Sequence, residues 1–312
     1  MPRTFLALPA ALTGALLLTA CGAQKADAPG PGSAPQRVAG SPGGSPAPPC
    51  RGAAPSGGPD SPPGPTGRGT DGVRTVVADG CPAFEVTNDA AEAFTYTITY
   101  QWPASSGEAL ASARQTVLSV GPGRTVRRPV DPDATTGSAR GGARLEIIKV
   151  RSVPTAQAPA PSGPCPSSGV RVYADDGDAA MGLRVVGLHL ENCGTRAYGL
   201  DGYPAVRLLD ERHAPVDGVR ILHGGASIAT GTGADAAPRP LVLEPGRSAH
   251  AELVWRNTTG LGSDPVDVPY VRVVAKPGAA AVTVTPELDL GTTGKLGVGA
   301  WQKDDDSAPG AR

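Results

Sequence analysis

Large apolar and polar side chains alternate without a break over residues 94–102, reading Phe94-Thr95-Tyr96-Thr97-Ile98-Thr99-Tyr100-Gln101-Trp102. A period of two over that length puts one face of a strand in a core and the other in water. Threonine and aromatic residues suit such a pleated, half-buried surface. Shorter segments of the same kind surround it. Phe84-Glu85-Val86 leads into the turn signal Asn88-Asp89, residues 116–120 run into Gly121-Pro122-Gly123, and Thr125-Val126 resumes the pattern. Residues 145–150 close the set. No stretch carries a helical period, so residues 72–154 are expected to form a small β-sandwich.

A Pro- and Ala-rich linker, 155–164, separates this region from a second one, 165–302. Strands are expected there at 170–173, 181–191, 205–209, 241–243, 248–255, 271–275 and 281–285, again without helices. The Gly- and Ala-rich connection 224–237 is expected to be a mobile loop. Glu244-Pro245-Gly246-Arg247 echoes Gly121-Pro122-Gly123-Arg124, which suggests that both regions share one sandwich geometry. The charged tail 303–312 is expected to be disordered.

The N-terminal seventy residues look different. Arg3 precedes an uncharged apolar run, 5–18, of about fourteen residues, too short to span a bilayer, which needs about twenty. The run ends in Leu18-Thr19-Ala20-Cys21, which resembles the bacterial lipobox: an aliphatic residue, two small ones, and the cysteine that takes the lipid. Residues 1–20 thus read as a lipoprotein signal peptide, with Cys21 as the anchor. Several acyl chains hold durably, each buried CH₂ contributing about 0.8 kcal/mol. Of the chain's 43 Gly and 34 Pro, 12 of each fall in 21–71, nearly half of that segment, which lacks bulky apolar residues and reads as a disordered tether. Its mean reach is about 40 Å.

An anchor at Cys21 puts everything downstream in an oxidising compartment, on the extracytoplasmic face of the cell membrane. Cys50, Cys81, Cys165 and Cys193 then read as disulfides, with three possible connectivities. Cys50–Cys81 and Cys165–Cys193 are favoured because each pair brackets the start of one region. Each closes a loop of about thirty residues, worth about 3–4 kcal/mol. Zinc is disfavoured, since no C-x₂-C spacing or neighbouring histidine occurs. The net charge of −1 gives no basic face for nucleic acid.

Glu191-Asn192-Cys193-Gly194, followed by Leu200-Asp201-Gly202-Tyr203-Pro204, resembles the actinobacterial lipoproteins of the domain-of-unknown-function 4232 family. Leu208-Leu209-Asp210, Leu243-Glu244-Pro245-Gly246 and Val254-Trp255 match further landmarks. The resemblance covers 165–301 and implies an immunoglobulin-like extracellular domain. It carries no activity and no functional residue. Many members have a cysteine where this chain has Tyr198, so the geometry of a Cys165 disulfide does not transfer. The expected fold class is all-β: two immunoglobulin-like antiparallel β-sandwich domains after the signal peptide and tether. Gly202-Tyr203-Pro204 reads as architecture, with the tyrosine ring buried and its hydroxyl on a backbone partner.

Catalytic motifs are weak. Gly246-Arg247-Ser248-Ala249-His250 lacks the G-x-S-x-G elbow. His189, His213, His223 and His250 show no metal spacing, and only His223, beside the 224–237 loop, invites attention. Gly291-Thr292-Thr293-Gly294-Lys295 departs from a phosphate loop, and Asp304-Asp305-Asp306 from a calcium loop. The expected role is a surface-anchored, non-catalytic binding or structural module at the cell envelope, without cofactor or metal. Its partners would be the membrane, through the lipid, and a protein or glycan at the wall. The alternatives are an extracytoplasmic enzyme of unrecognised type, a hydrolase foremost, or an accessory or regulatory partner of a membrane protein.

Overall fold

The computed structural model describes residues 71–78, 81–103, 109–130, 145–260 and 264–304, with backbone alone at 103 and 109–111. The signal peptide, Cys21, Cys50, the tether up to residue 70 and the tail from 305 lie outside the described residues. No helix among the described residues is long and apolar enough to cross a membrane.

Residues 73–154 form six strands: β1 (Val73–Ala78), β2 (Cys81–Asn88), β3 (Phe94–Pro103), β4 (Ala109–Val120), β5 (Arg124–Pro129) and β6 (Glu146–Pro154). They pair antiparallel into two three-stranded sheets, β1-β2-β5 and β4-β3-β6. The alternation along β3 does what its period dictates. Tyr96, Ile98, Tyr100 and Trp102 all enter the core, where Tyr100 meets Phe84 of the opposing sheet edge to face at 5.2 Å. On the other face of the first sheet, Arg74, Glu85 and Arg127 form a cross-strand row.

The second sandwich runs from β7 (Val170–Ala174) to β20 (Gln302–Lys303). Its large sheet contains β12 (Arg220–His223), β19 (Lys295–Val298), β14 (Ser248–Arg256), β9 (Leu183–Asn192) and β7 in that order. β8 (Asp178–Ala180) pairs with β9, and β20 with β14. Facing it are β11 (Ala205–Leu209), β16 (Tyr270–Val274) and β17 (Ala281–Val284). Two ribbons complete the domain, β10 (Tyr198–Leu200) with β13 (Leu241–Leu243) and β15 (Asp267–Val268) with β18 (Leu288–Asp289). The core holds Trp255, Trp301 and a set of leucines, and both indoles donate hydrogen bonds, to Asp289 and to the Ala275 carbonyl. One pairing departs from the expected antiparallel scheme: β12 runs parallel to β19. The chain between them, residues 224–294, carries β13 to β18 and returns to β19 in the same direction.

The two sandwiches follow one plan. In each, the first strand, the next long strand and the strand after the Pro-Gly-Arg turn share a sheet, β1-β2-β5 in one and β7-β9-β14 in the other, where the short β8 comes between the first two in sequence. This is the strand order of immunoglobulin-like domains. The likeness extends to single atoms. Asn88 and Asn192 close β2 and β9, and each is 1% exposed. Asn88 donates from Nδ2 to the Glu92 and Val120 carbonyls, both at 2.8 Å. Asn192 donates to Arg196 and Leu243 at the same distances. Their own carbonyls accept from Gly123 and Gly246 of the two turns.

Both sandwiches belong to one compact unit. The linker is part of the packing. Ala158 lies against Val153, Leu209 and Tyr270, and Gln157 accepts a hydrogen bond from Thr283. Arg151, on β6, forks onto Glu287 at 2.6 and 2.8 Å and also reaches Glu211. The 224–237 connection, expected to be mobile, is anchored. Gly224 donates to Val298, Gly225 to Asp235, and Ala234 is buried. Gly299 is what lets it close down: a Cβ there would lie 3.1 Å from Ala234 Cα and 3.0 Å from the Glu252 nitrogen.

Candidate functional site

A cleft of about 270 Å³ opens where the two sandwiches meet. Asp71 and Gly72 precede β1, Asp89 and Ala90 follow β2, and Phe94 and Tyr96 open β3. The second sandwich contributes Glu211, His213 and Tyr270. His213 follows a tight turn in which the Asp210 carboxylate accepts from the amides of Arg212 and Ala214. That turn leaves His213 at φ +59°, and Asp71 across the cleft has φ +48°. Asp and His are among the side chains that tolerate this region best.

Aromatic rings form a continuous wall. Phe94 and Tyr270 flank His213 at centroid distances of 5.7 and 4.4 Å, and the Arg151 guanidinium covers the Tyr270 ring. Hydrogen bonds fix the wall in place. His213 Nε2 donates to the Ser152 carbonyl at 2.8 Å, and the Ser152 amide donates to the Tyr270 hydroxyl at 3.2 Å. Burial raises both tyrosine hydroxyls above their ordinary pKa, and the Asp89 carboxylate adds to this at Tyr96. Both therefore stay neutral across the physiological range.

A second group of ionisable residues lies on the outer face of the large sheet. Tyr173 stacks on His189 at 5.1 Å, and His189 and His250 are cross-strand neighbours. His189 Nε2 donates to Asp175 at 2.9 Å, and His250 Nδ1 to Asp304 at 2.5 Å. His250 Nε2 lies 4.0 Å from Glu252, whose carboxyl burial pushes up, with the nearby His250 working against it. These are two histidine–carboxylate pairs side by side, but on a sheet surface and not in the cleft. Among the described residues, no three His, Cys, Asp or Glu side chains converge closely enough to hold a metal ion.

The structure brings some sequence-named residues together and leaves others apart. Cys165 and Cys193 form a disulfide with Cα atoms 5.6 Å apart, tying the lead into β7 to the end of β9. Cys81 is also disulfide-bonded, and its expected pairing with Cys50 lies outside the described residues. His223 stacks on Tyr203 at 4.2 Å. Tyr203 is only half-buried, so the Gly-Tyr-Pro turn is held by another contact, the Trp301 amide donating to the Gly202 carbonyl. The hydroxyls of Thr292 and Thr293 are spent on backbone carbonyls of 256–258 and 290, which makes the 291–295 segment a structural turn. The cleft residues escaped sequence reading because they come from positions 71 to 270. The one local hint was the turn signal Asn88-Asp89.

Two tandem immunoglobulin-like sandwiches with a cleft at their junction define the class of this molecule. Its second sandwich, residues 165–302, matches the family model described as a domain of unknown function, DUF4232, in line with the turn motif that suggested it. Comparison with curated proteins and with solved structures finds no match.

Proposed function

We propose that this chain is a lipid-anchored envelope protein that works by binding, with the junction between its sandwiches as the contact site. The lipobox-like Leu18-Thr19-Ala20-Cys21 supports the anchor. The observation that carries the binding role is the cleft itself: aromatic and acidic side chains from both domains meet in one cavity that neither domain forms alone. Domain junctions with apolar walls and a few placed polar groups are where ligand sites form most often.

Two measurements in intact cells test this. Cys21→Ser should move the protein from the membrane fraction to the soluble one, and continued retention would contradict the anchor. A photo-crosslinking residue at Ala90, in the cleft, should yield adducts absent when it is placed at Ala179 on β8. Equal adducts at both positions would defeat the site.

The hydrolase alternative draws on one specific observation, the pairs His189–Asp175 and His250–Asp304. Histidine oriented by a carboxylate is the basic half of many hydrolytic sites. On that reading the purified protein cleaves ester, peptide or glycan substrates, and His250→Gln abolishes the cleavage. The binding reading expects no such activity in either protein.

A further inference from the structure

Taking the junction cleft as the binding site, we infer that its ligand is an organic cation, an ammonium or guanidinium head carried on a short chain. The cleft lining holds three carboxylates, Asp71, Asp89 and Glu211, and no lysine or arginine. Glu211 shares Arg151 with Glu287. Asp71 and Asp89 have no ion-pair partner among the described residues. Charges of one sign lining a cleft with low-dielectric walls focus their potential on whatever enters. Phe94, Tyr96, His213 and Tyr270 add an aromatic wall, and ring faces attract cations, as the Arg151 guanidinium over Tyr270 already does. The tyrosine hydroxyls do not oppose a cation, since both are neutral.

Other ligand chemistries fit less well. An anion would face three carboxylates with no lysine or arginine in the lining to offset them. A divalent metal needs side chains converging on one point, and no such convergence occurs among the described residues. The cavity of about 270 Å³ is also far larger than an ion. A neutral sugar would use the rings and leave two carboxylates uncompensated. A cationic head satisfies both surfaces at once.

Such a head has two sources, a free amine or a basic side chain within a peptide. Titration calorimetry on the purified mature protein at low salt separates them, using 1,5-diaminopentane for the first and the Nα-acetyl amides of lysine and arginine for the second. At least one probe should bind saturably, and rising salt should weaken it. Asp71→Asn with Asp89→Asn should reduce affinity tenfold or more. Asp178→Asn, on β8, should leave it unchanged. Asp89→Asn alone, expected to fold because its side chain is exposed, serves if the double variant does not. Binding of the diamine alone identifies a free amine, and binding of the amides alone a peptide side chain. Three results would overturn the inference: no cation binds, calcium chloride or N-acetylglucosamine binds in preference, or the Asn variants bind as well as the wild type. If no cation binds while the Ala90 crosslink persists, the ligand class is wrong and the site stands. If the crosslink fails too, the binding role falls with it.

Discussion

Asn88 and Asn192 show how much one side chain can organise. Each sits at the end of a strand, 1% exposed, and commits one amide hydrogen to a carbonyl of the loop that follows and the other to a buried carbonyl at the strand end before the Pro-Gly-Arg turn. Each Oδ1 accepts an amide two residues on, from Ala90 and Gly194. Alanine at either position takes the side-chain donor from both carbonyls and unties the strand end from Val120 or Leu243, while the backbone bond from the turn glycine remains. Leaving a buried polar group unsatisfied costs about 1–3 kcal/mol. Asn88→Ala and Asn192→Ala should therefore each destabilise their own sandwich by at least that much, and by similar amounts, measured by chemical denaturation. A loss below about 0.5 kcal/mol in one and a large loss in the other would show that the two clamps are not equivalent. The sequence displayed the turn in both domains but not the asparagine that docks it, because residues 88 and 120 meet only through folding.

Among elements, legibility followed the period. β3, β11, β13, β14, β16 and β17 lie at or within a residue of where alternation placed them, because each has one face in a core. The boundaries missed most clearly were the start of β4, at Ala109 where a strand was expected from 116, and the end of β6, at Pro154 where 150 was expected; the start of β9 was missed by two residues. Met181 is 99% exposed, at φ +48° in a turn before the strand. β8, β10, β12, β15 and β18–β20 have two to four residues each and left no legible pattern, whereas β13 and β17, equally short, were marked by Leu241-Val242-Leu243 and Val282-Thr283-Val284. The 224–237 connection looked unstructured because Gly and Ala dominate it, yet those small residues are what allow it to lie against β19. Gly299→Val should lift it, seen as faster hydrogen exchange at the amides of Gly224 and Gly225, while core amides of β9 keep their protection. Unchanged exchange would mean that the loop does not depend on that approach. The Cys165–Cys193 bond is expected to matter at the same scale. Its sequence separation of 28 corresponds to about 3–4 kcal/mol in the chain-entropy model. The Cys165→Ser/Cys193→Ser protein should lose stability of that order, and in acid, where the two sandwiches are expected to unfold separately, the loss should fall on the transition of the second sandwich alone.

At the scale of the whole molecule the question is what keeps two small sandwiches acting as one body, and the cleft depends on the answer. Much of the junction rests on Arg151, 13% exposed at its side chain, which forks onto Glu287 while its guanidinium covers Tyr270. Burial alone would raise the Glu287 carboxyl, but the hydrogen bonds and charge of Arg151, helped by Lys149, outweigh it and hold the pKa below its ordinary value. A carboxylate with a lowered folded pKa stabilises the fold above its unfolded pKa of about 4.3. That contribution disappears as the pH falls through the folded value. Glu85 has the same sign, set by Arg127 and Arg74 against burial, but it acts within the first sandwich only. Glu252 has the opposite sign: burial raises it, so its charged form costs stability as the pH climbs through its folded pKa. Acid should thus loosen the junction while relieving Glu252. Calorimetry from pH 7 to 3 should show one cooperative transition at neutral pH that separates into two as Glu287 protonates. Glu287→Gln should melt in two steps at pH 7 already, with a shallower pH dependence below 5, and Arg151→Ala should behave alike. If Glu287→Gln kept a single transition with the wild-type acid slope, the junction would be held by the apolar contacts of Val153, Leu209 and Tyr270 and the hydrogen bonds of Ser152 and Gln157, and the ion pair would be incidental to the cleft.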